Sequence, residues 1–302
     1  MKVGAVMPIA EAELAGRTAT YTELRQIAQA AEGAGLDSIW VYDHLLFRFP
    51  DQPTTGIYEC WSMLAALAAD TSRVEVGTIV LAIPFRNPAL LAKMAATVDE
   101  ISGGRLILGI GAGWNEPEFD AFGIPFDHRV GRFEEALRII LPLLREGSVD
   151  FHGSYYQADD AVLLPRGPRR AGPPILIAGR RPRMLRLTVE HADLWNAAWF
   201  GDVSEIEPRV APLREALAAA GRDPSTLEIT IGVNVVFPEL VSPADELPDH
   251  ALRGTAEEVA GGLRGYRDAG ISHVIAACVP STVEGMELLA HAATLARGKP
   301  AT

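Results

Sequence analysis

The sequence predicts a single (β/α)₈ barrel, an α/β fold in which eight parallel strands are surrounded by helices. Three observations lead to this prediction. Short apolar runs alternate with longer amphipathic segments eight times along the chain. The apolar runs are continuous rather than alternating, which is typical of parallel strands covered on both faces. The chain has 302 residues and no long polar linker, which agrees with one barrel domain over residues 1–302. A doubly wound sheet divided between two domains is the alternative.

Each predicted unit begins with a strand and continues into a helix. The strands are Val3–Met7, Ser38–Tyr42, Val74–Leu81, Leu106–Ile110, Ile175–Ala178, Leu194–Ala198, Leu227–Phe237 and Ser272–Ala277. The helices are indicated by apolar residues three and four positions apart and by proline, threonine or glycine near their ends. They are Tyr21–Gly33, Tyr58–Ala69, Pro88–Ile101, Arg129–Arg145, Arg183–His191, Glu207–Ala220, Thr255–Ala269 and Thr282–Ala296. Residues 149–164 interrupt the alternation and are predicted to form a hairpin.

Composition and charge exclude several classes of partner. The chain has 27 basic and 39 acidic residues and a net charge of −12, whereas nucleic-acid binding needs a basic surface. No window approaches 18 uninterrupted apolar residues, and the first apolar run is too short for a signal peptide, so we expect a cytoplasmic protein that does not bind membranes. Cys60 and Cys278 lie in apolar stretches and are expected to be reduced core residues. The histidines lack zinc-type spacing, so no metal is expected.

Chemistry in such a barrel lies on the loops that follow the strands, so polar residues just past strand ends are the candidates for the site. The second strand ends in Asp43 and His44. Neighbouring side chains on an extended chain point to opposite sides, so these two do not pair with each other, yet either could reach a ligand. The imidazole could donate or accept a proton near neutral pH. The structural alternative is that Asp43 caps a turn and His44 belongs to the core.

Glycines follow the fourth and fifth predicted strands. Gly111 and Gly113 permit close approach of a ligand to the backbone, but Trp114 breaks the dinucleotide fingerprint. Gly179 and Arg180 lead directly into a helix, whose free N–H groups favour a phosphate or carboxylate; a solvated loop is the alternative. Because no metal cluster or nucleophile motif is present, we expect a bound cofactor to carry the reaction.

Taken in order, several segments resemble the luciferase-like monooxygenase superfamily of flavin- and deazaflavin-dependent (β/α)₈ oxidoreductases. The resemblance covers nearly the whole chain and is carried by Ser38–His44, Val76–Pro88, Gly103–Glu116, Pro174–Asn196 and Gly254–Val274. Within this superfamily, the Asp-His pair at the end of the second strand resembles the sequence found there in the branch that uses coenzyme F420.

The resemblance implies a role for each candidate residue. Asp43 and His44 would lie beside the deazaflavin ring as catalytic residues, with His44 as the proton donor or acceptor. A bulge with a non-prolyl cis peptide would lie behind the ring at Ile79-Val80. The residues expected to bind the cofactor are Asp43, Thr78, Ile79, Val80, Gly111, Gly113, Asn115, Ala178, Gly179 and Arg180, the last two at its phosphate.

The implied activity is F420-dependent transfer of a hydride between C5 of the deazaflavin and a small organic substrate. An FMN-dependent monooxygenase and a non-catalytic flavin-binding barrel are the alternatives. The resemblance also implies a homodimer. Two positions depart from the sugar-phosphate dehydrogenases of this branch, because Arg48 stands where they carry tryptophan and Trp114 where they carry glutamate. Residues 45–57 and 238–252 are candidate lids.

Overall fold

Eight parallel strands form the centre of the protein in the computed structural model, which describes residues 1–14, 16–243, 245 and 247–298. We number these strands β1 to β8. Their bounds are Lys2–Val6, Ser38–Val41, Glu75–Thr78, Leu106–Gly111, Ile175–Ala178, Leu194–Phe200, Glu228–Val236 and His273–Val279.

The strands close into a barrel. Neighbouring pairs are parallel throughout; in β1, for example, Gly4 is opposite Ser38 of β2 and Lys2 is opposite His273 of β8. Closure requires the pairing of β4 with β5, where Ile175 is opposite Leu108. The predicted (β/α)₈ barrel is therefore confirmed, and the doubly wound alternative is wrong.

Helices cover the outside of the barrel, and we number them α1 to α9. Their bounds are Tyr21–Ala34, Cys60–Asp70, Pro88–Ile101, Glu116–Ala121, Arg129–Arg145, Pro182–His191, Glu207–Ala220, Ala256–Asp268 and Val283–Ala296. Several begin where the sequence places a capping residue. The hydroxyl of Thr255 accepts from the backbone N–H of Glu258 as part of a capping box, and the amide oxygen of Asn87 accepts from the first turn of α3.

Two apolar clusters form the core. The larger one lies between the strands and the helices. The smaller one fills the inside of the barrel with side chains such as Trp40, Ile107 and Leu176. The strand that supplies Trp40 also supplies Ser38, whose hydroxyl lies 2.8 Å from Nε2 of His273 and accepts from the indole of Trp40 at 2.7 Å. Such packing fills the inside of the barrel below the strand ends.

Strand β3 bulges at its carboxyl end. The strand ends at Thr78, the Ile79-Val80 peptide is cis as the resemblance implies, and Leu81–Ala82 then pairs with the end of β4. The bulge brings Ile79 and Val80 to the mouth of the barrel. A second non-prolyl cis peptide lies at Ala198-Trp199 near the end of β6.

Two short antiparallel pairs stand outside the barrel. Ser148–His152 pairs with Gln157–Val162, which confirms the predicted hairpin. Leu46–Phe47 pairs with Thr55–Gly56, so the predicted lid at 45–57 contains a small sheet. The predicted lid at 238–252 includes positions 244 and 246, which lie outside the described residues.

Two further predictions concern the core and the membrane. The thiols of Cys60 and Cys278 are buried and form no disulfide, which confirms the prediction for both. In the described part of the chain, no helix combines the length and the apolar character needed to cross a membrane.

Candidate active site

A cavity of about 1060 Å³ opens at the carboxyl ends of the strands. The first turn of α6 borders it on one side, and the loop after β2 borders it on another. This volume is at the upper end of the range of small-molecule sites, which are usually about 300–1000 Å³. The cavity is therefore large enough for a cofactor with a substrate beside it.

His44 lines this cavity and is held by a buried carboxylate. Its Nδ1 lies 2.9 Å from Oε1 of Glu118, and the backbone N–H of Leu45 donates to Oε2 of the same residue at 2.8 Å. The side chain of Glu118 is 1% exposed and that of His44 is 15% exposed. An ionised Glu118, which only accepts hydrogen bonds, would place the proton of His44 on Nδ1. Among the described residues no hydrogen bond involves Nε2, so this nitrogen is available to a ligand.

The carboxylate of Asp43, by contrast, is hydrogen-bonded to other groups of the protein. It accepts from the Arg86 guanidinium at 2.6 and 3.0 Å and from the backbone N–H of Ala82 at 2.9 Å. Arg86 also donates to Glu59 at 2.6 Å. Burial by itself lowers the pKa of Arg86, but the carboxylates of Asp43 and Glu59 outweigh it and raise the pKa above its ordinary value. Asp43 therefore anchors the loop after β2 to the bulge in β3.

A third carboxyl group, that of Glu13, also lines the cavity. Glu13 lies beside Tyr42, and its Oε2 accepts from the backbone N–H of Ala10 at 2.8 Å. Glu13 is open to the cavity, but protein atoms surround its carboxyl group on most sides. This burial raises the pKa of Glu13, while the contacts with Tyr42 and Ala10 act in the opposite direction. Burial, followed by the nearby Glu13, raises the pKa of Tyr42 well above its usual value.

Four of the predicted cofactor contacts line the cavity at β3 and β4: Ile79, Val80, Gly111 and Gly113. The glycines are explained by the protein itself rather than by a ligand. A Cβ on Gly111 would come within 2.8 Å of Val80 Cγ2. Gly113 has a φ of +77°, and a Cβ there would come within 2.6 Å of Phe119. That these glycines let a cofactor approach the backbone closely stays a prediction.

Thr78 and Asn115 are also predicted to bind the cofactor, and this stays a prediction, although protein groups occupy both side chains. The hydroxyl of Thr78 donates to the carbonyl of Gly109 at 2.7 Å and accepts from its N–H at 3.0 Å, so it is used between two strands. The amide of Asn115 donates to the carbonyl of Leu46 at 3.0 Å. Both residues are buried outside the cavity lining.

The three predicted residues at the end of β5 and just after it line the cavity next to the start of α6. Ala178, Gly179 and Arg180 precede the helix, and Arg181 occupies its N-cap position without a side-chain capping hydrogen bond. The carbonyl of Gly179 accepts from the indole N–H of Trp195 at 2.9 Å, which fixes the turn. The uncapped N–H groups and the exposed guanidinium of Arg180 together favour an anionic group such as a phosphate.

Sequence reasoning missed Glu118, Arg86 and Glu13. The sequence pointed to Glu118 only indirectly. Trp114 stands where the sugar-phosphate dehydrogenases carry glutamate, and Glu118 lies four residues later, in α4. The pairing of His44 with Glu118 spans 74 positions and that of Asp43 with Arg86 spans 43. Neither could be found from local patterns.

One group of possible metal ligands lies away from the cavity, on the outer hairpin. Asp150, His152 and Asp159 are exposed, and one ligand atom from each lies within 4.8 Å of the others. The hairpin pairing brings them together, which the spacing along the chain did not indicate. The expectation that the protein holds no metal stays a prediction.

Comparison with known proteins identifies the family. Residues 1–247 match the family model of luciferase-like monooxygenases. An F420-dependent glucose-6-phosphate dehydrogenase from Kineococcus radiotolerans is 31% identical over 297 residues, which cover 84% of this chain and 86% of the relative. A phthiodiolone/phenolphthiodiolone dimycocerosates ketoreductase from Mycobacterium bovis is 30% identical over 295 residues, which cover 89% of this chain and 77% of the relative.

Two solved structures share the fold. An F420-dependent secondary alcohol dehydrogenase, solved in complex with an F420-acetone adduct, superposes with a TM-score of 0.79 at 21% identity and covers 98% of this chain and 99% of its own. A coenzyme F420-dependent tetrahydromethanopterin reductase from Methanopyrus kandleri gives a TM-score of 0.78 at 19% identity and covers 96% and 97%. The chain is an oxidoreductase, and it belongs to the luciferase-like monooxygenase family, as its sequence motifs indicate.

Proposed function

We propose that this protein is an F420-dependent oxidoreductase that transfers a hydride between the deazaflavin and a small organic substrate. The observation that carries the proposal is the His44–Glu118 pair. It presents a free Nε2 to a cavity bordered by the β3 bulge and by an uncapped helix N-terminus. The names of the relatives support the choice of cofactor.

The residues present fit such a cofactor. The start of α6, with Gly179 and Arg180, would hold its phosphate, because no side chain caps the N–H groups there. Ile79 and Val80 would pack against its ring, since both are apolar and line the cavity. When bound, the deazaflavin would supply or take up the hydride.

The chain itself handles the proton. His44 would donate or accept it at Nε2, while Glu118 holds the proton on Nδ1 and stabilises the imidazolium that forms when Nε2 is protonated. Asp43 stays in the proposal as a positioning residue, because its carboxylate is taken up by Arg86 and Ala82. Glu13 is a further acid in the cavity, available to a substrate group beside Tyr42.

Cofactor choice can be tested by titrating the purified protein with F420 and, separately, with FMN. We expect micromolar binding of F420, followed by the fluorescence of the deazaflavin. Micromolar binding of FMN with none of F420 would instead support a monooxygenase of the same family and overturn the proposal.

The phosphate site can be tested with a matched pair of arginines at the start of α6. Arg180→Ala should weaken F420 binding about tenfold, because a hydrogen bond to a charged group contributes about 1.5–3 kcal/mol. The control is Arg183→Ala, since the Arg183 guanidinium is already paired with Glu134 at 2.6 Å. A deazaflavin without the phosphate should bind both variants as it binds the unaltered protein. Equal losses in the two variants would contradict this placement.

We also expect a cytoplasmic homodimer that acts on a small molecule and binds neither nucleic acid nor membranes. Light scattering of the purified protein tests the dimer, and a mass of one chain, 32.4 kDa, would contradict it.

A further inference from the structure

The part of the cavity around His44 is aromatic. The ring of Phe47 lies 4.5 Å from the imidazole between centroids, and that of Trp114 lies 5.5 Å away, edge to face. Phe49 stacks on Phe47 at 5.9 Å with an interplanar angle of 17°. A substrate atom at Nε2 of His44 therefore has apolar rings as its neighbours.

Two indoles in this cavity are left uncovered by the protein. Trp114 is 59% exposed and Trp199 is 41% exposed, and both line the cavity, Trp114 from the loop after β4 and Trp199 from the end of β6. Exposure of so much apolar area is unfavourable, and an apolar ligand lying on these rings would remove it from water. Two such faces in one cavity point to a ligand with an apolar body.

Positive charge lies elsewhere in the cavity. Arg180 and Arg181 are at the start of α6, where the cofactor phosphate would bind, and Arg209 lines the cavity from the first turn of α7. Arg129 donates to the carbonyl of Gly113 at 2.8 Å and lies 3.7 Å over the ring of Phe126, which leaves it little freedom.

Two acidic side chains lie near His44. Glu118 is hydrogen-bonded to its ring, and Glu13 lies beside the neighbouring Tyr42. An anionic substrate at His44 would meet these carboxyl groups, so a sugar phosphate is a poor match for this part of the cavity.

We propose that the substrate is a ketone, or the corresponding secondary alcohol, that carries an uncharged apolar group of aryl size or larger. Its oxygen lies at Nε2 of His44, and its apolar group packs between Phe47 and Trp114. In the reducing direction the carbonyl carbon would gain a hydride from reduced F420 and the oxygen a proton from His44, and the proton released as the cofactor is oxidised would restore that of His44. This inference rests on the proposed function.

Binding can be measured without turnover, because oxidised F420 cannot reduce a ketone. The protein is saturated with oxidised F420 and titrated with acetophenone, acetone or glucose 6-phosphate by calorimetry or ligand-observed NMR. We expect acetophenone to bind at least about tenfold more tightly than acetone, and glucose 6-phosphate to bind more weakly than either.

Variants of Trp114 locate the apolar group. Trp114→Ala should weaken acetophenone binding about tenfold and leave acetone binding within about twofold, whereas Trp114→Phe should restore most of the affinity. Phe122→Ala is the control, because Phe122 is also an exposed aromatic at the end of α4 but does not line the cavity. It should leave both ligands unaffected.

The remaining outcomes distinguish failure of the inference about the substrate from failure of the proposed function. Equal binding of acetone and acetophenone, tighter binding of glucose 6-phosphate, or an equal effect of Phe122→Ala would overturn the inference about the substrate. Failure of F420 to bind would overturn the proposed function. In that case the same ligands are measured by NMR on the protein without F420, where a preference for acetophenone that is lost in Trp114→Ala still supports the inference and no preference overturns it.

Discussion

Replacing Glu118 with glutamine changes a single atom and should remove most of the activity. The two carboxylate oxygens accept from two donors, Nδ1 of His44 at 2.9 Å and the backbone N–H of Leu45 at 2.8 Å. Glutamine offers one acceptor and one donor in their place. Because the Leu45 N–H can only donate, the amide oxygen must face it, and the amide NH₂ then faces Nδ1. His44 has to move its proton from Nδ1 to Nε2.

This change of tautomer weakens His44 in both directions of the reaction. With its proton on Nε2, the ring can no longer accept a proton there. The imidazolium also loses the carboxylate that stabilises it, and a hydrogen bond to a charged group contributes about 1.5–3 kcal/mol. General acid–base catalysis typically contributes about 10²–10⁴-fold. We therefore expect kcat to fall by about 10²–10⁴-fold, while the Kd for F420 stays within about twofold.

Steady-state rates, followed through the absorbance of F420 with ketone and with alcohol substrates, measure this loss. The ¹⁵N shifts of His44 report the tautomer independently of activity. Glu116→Gln is the matched control, because Glu116 is exposed in the first turn of the same short helix. A Glu118→Gln enzyme that keeps kcat within about threefold, with unchanged ¹⁵N shifts, would refute the role given to this pair.

Three further predictions concern stability and are read from thermal or denaturant unfolding. Glu13→Gln should raise the melting temperature at pH 7 and have little effect in acid, because burial raises the pKa of Glu13 and its ionisation above that pKa destabilises the folded state; equal effects at both pH values would contradict this. Burial lowers the pKa of His273 from 6.5 to about 3. Between these two pH values His273 therefore binds a proton in the unfolded chain but not in the folded chain. The contribution of His273 to the free energy of unfolding should fall by about 1.4 kcal/mol per pH unit below pH 6.5, and His273→Gln should flatten that part of the pH dependence; an unchanged slope would count against the assignment. Gly113→Ala should cost about 2 kcal/mol or more, because its Cβ meets Phe119, whereas Gly123→Ala, with φ of +68° and no atom within 4 Å, should cost less; the reverse order would contradict the packing argument.

The fold could be predicted because its signals are local. A buried parallel strand such as Leu106–Gly111 is a short apolar run, and a helix such as Pro88–Ile101 combines apolar spacing with Asn87 and Pro88 at its start. Each signal lies within one element, so each can be read without knowledge of the rest of the chain. Eight such units in order favour a closed barrel, and the pairing of β4 with β5 confirms it.

The sequence by itself also indicated where the site lies, because ligands bind at the ends of parallel strands and His44 and Gly179 follow such ends. Only the tertiary structure decided which partner each residue has there. Asp43 and His44 are neighbours with equal claims in the sequence, yet the folded chain pairs Asp43 with Arg86 and His44 with Glu118. Hydrogen-bond partners depend on distances in space, and the partners that separate these two residues are 43 and 74 positions away along the chain.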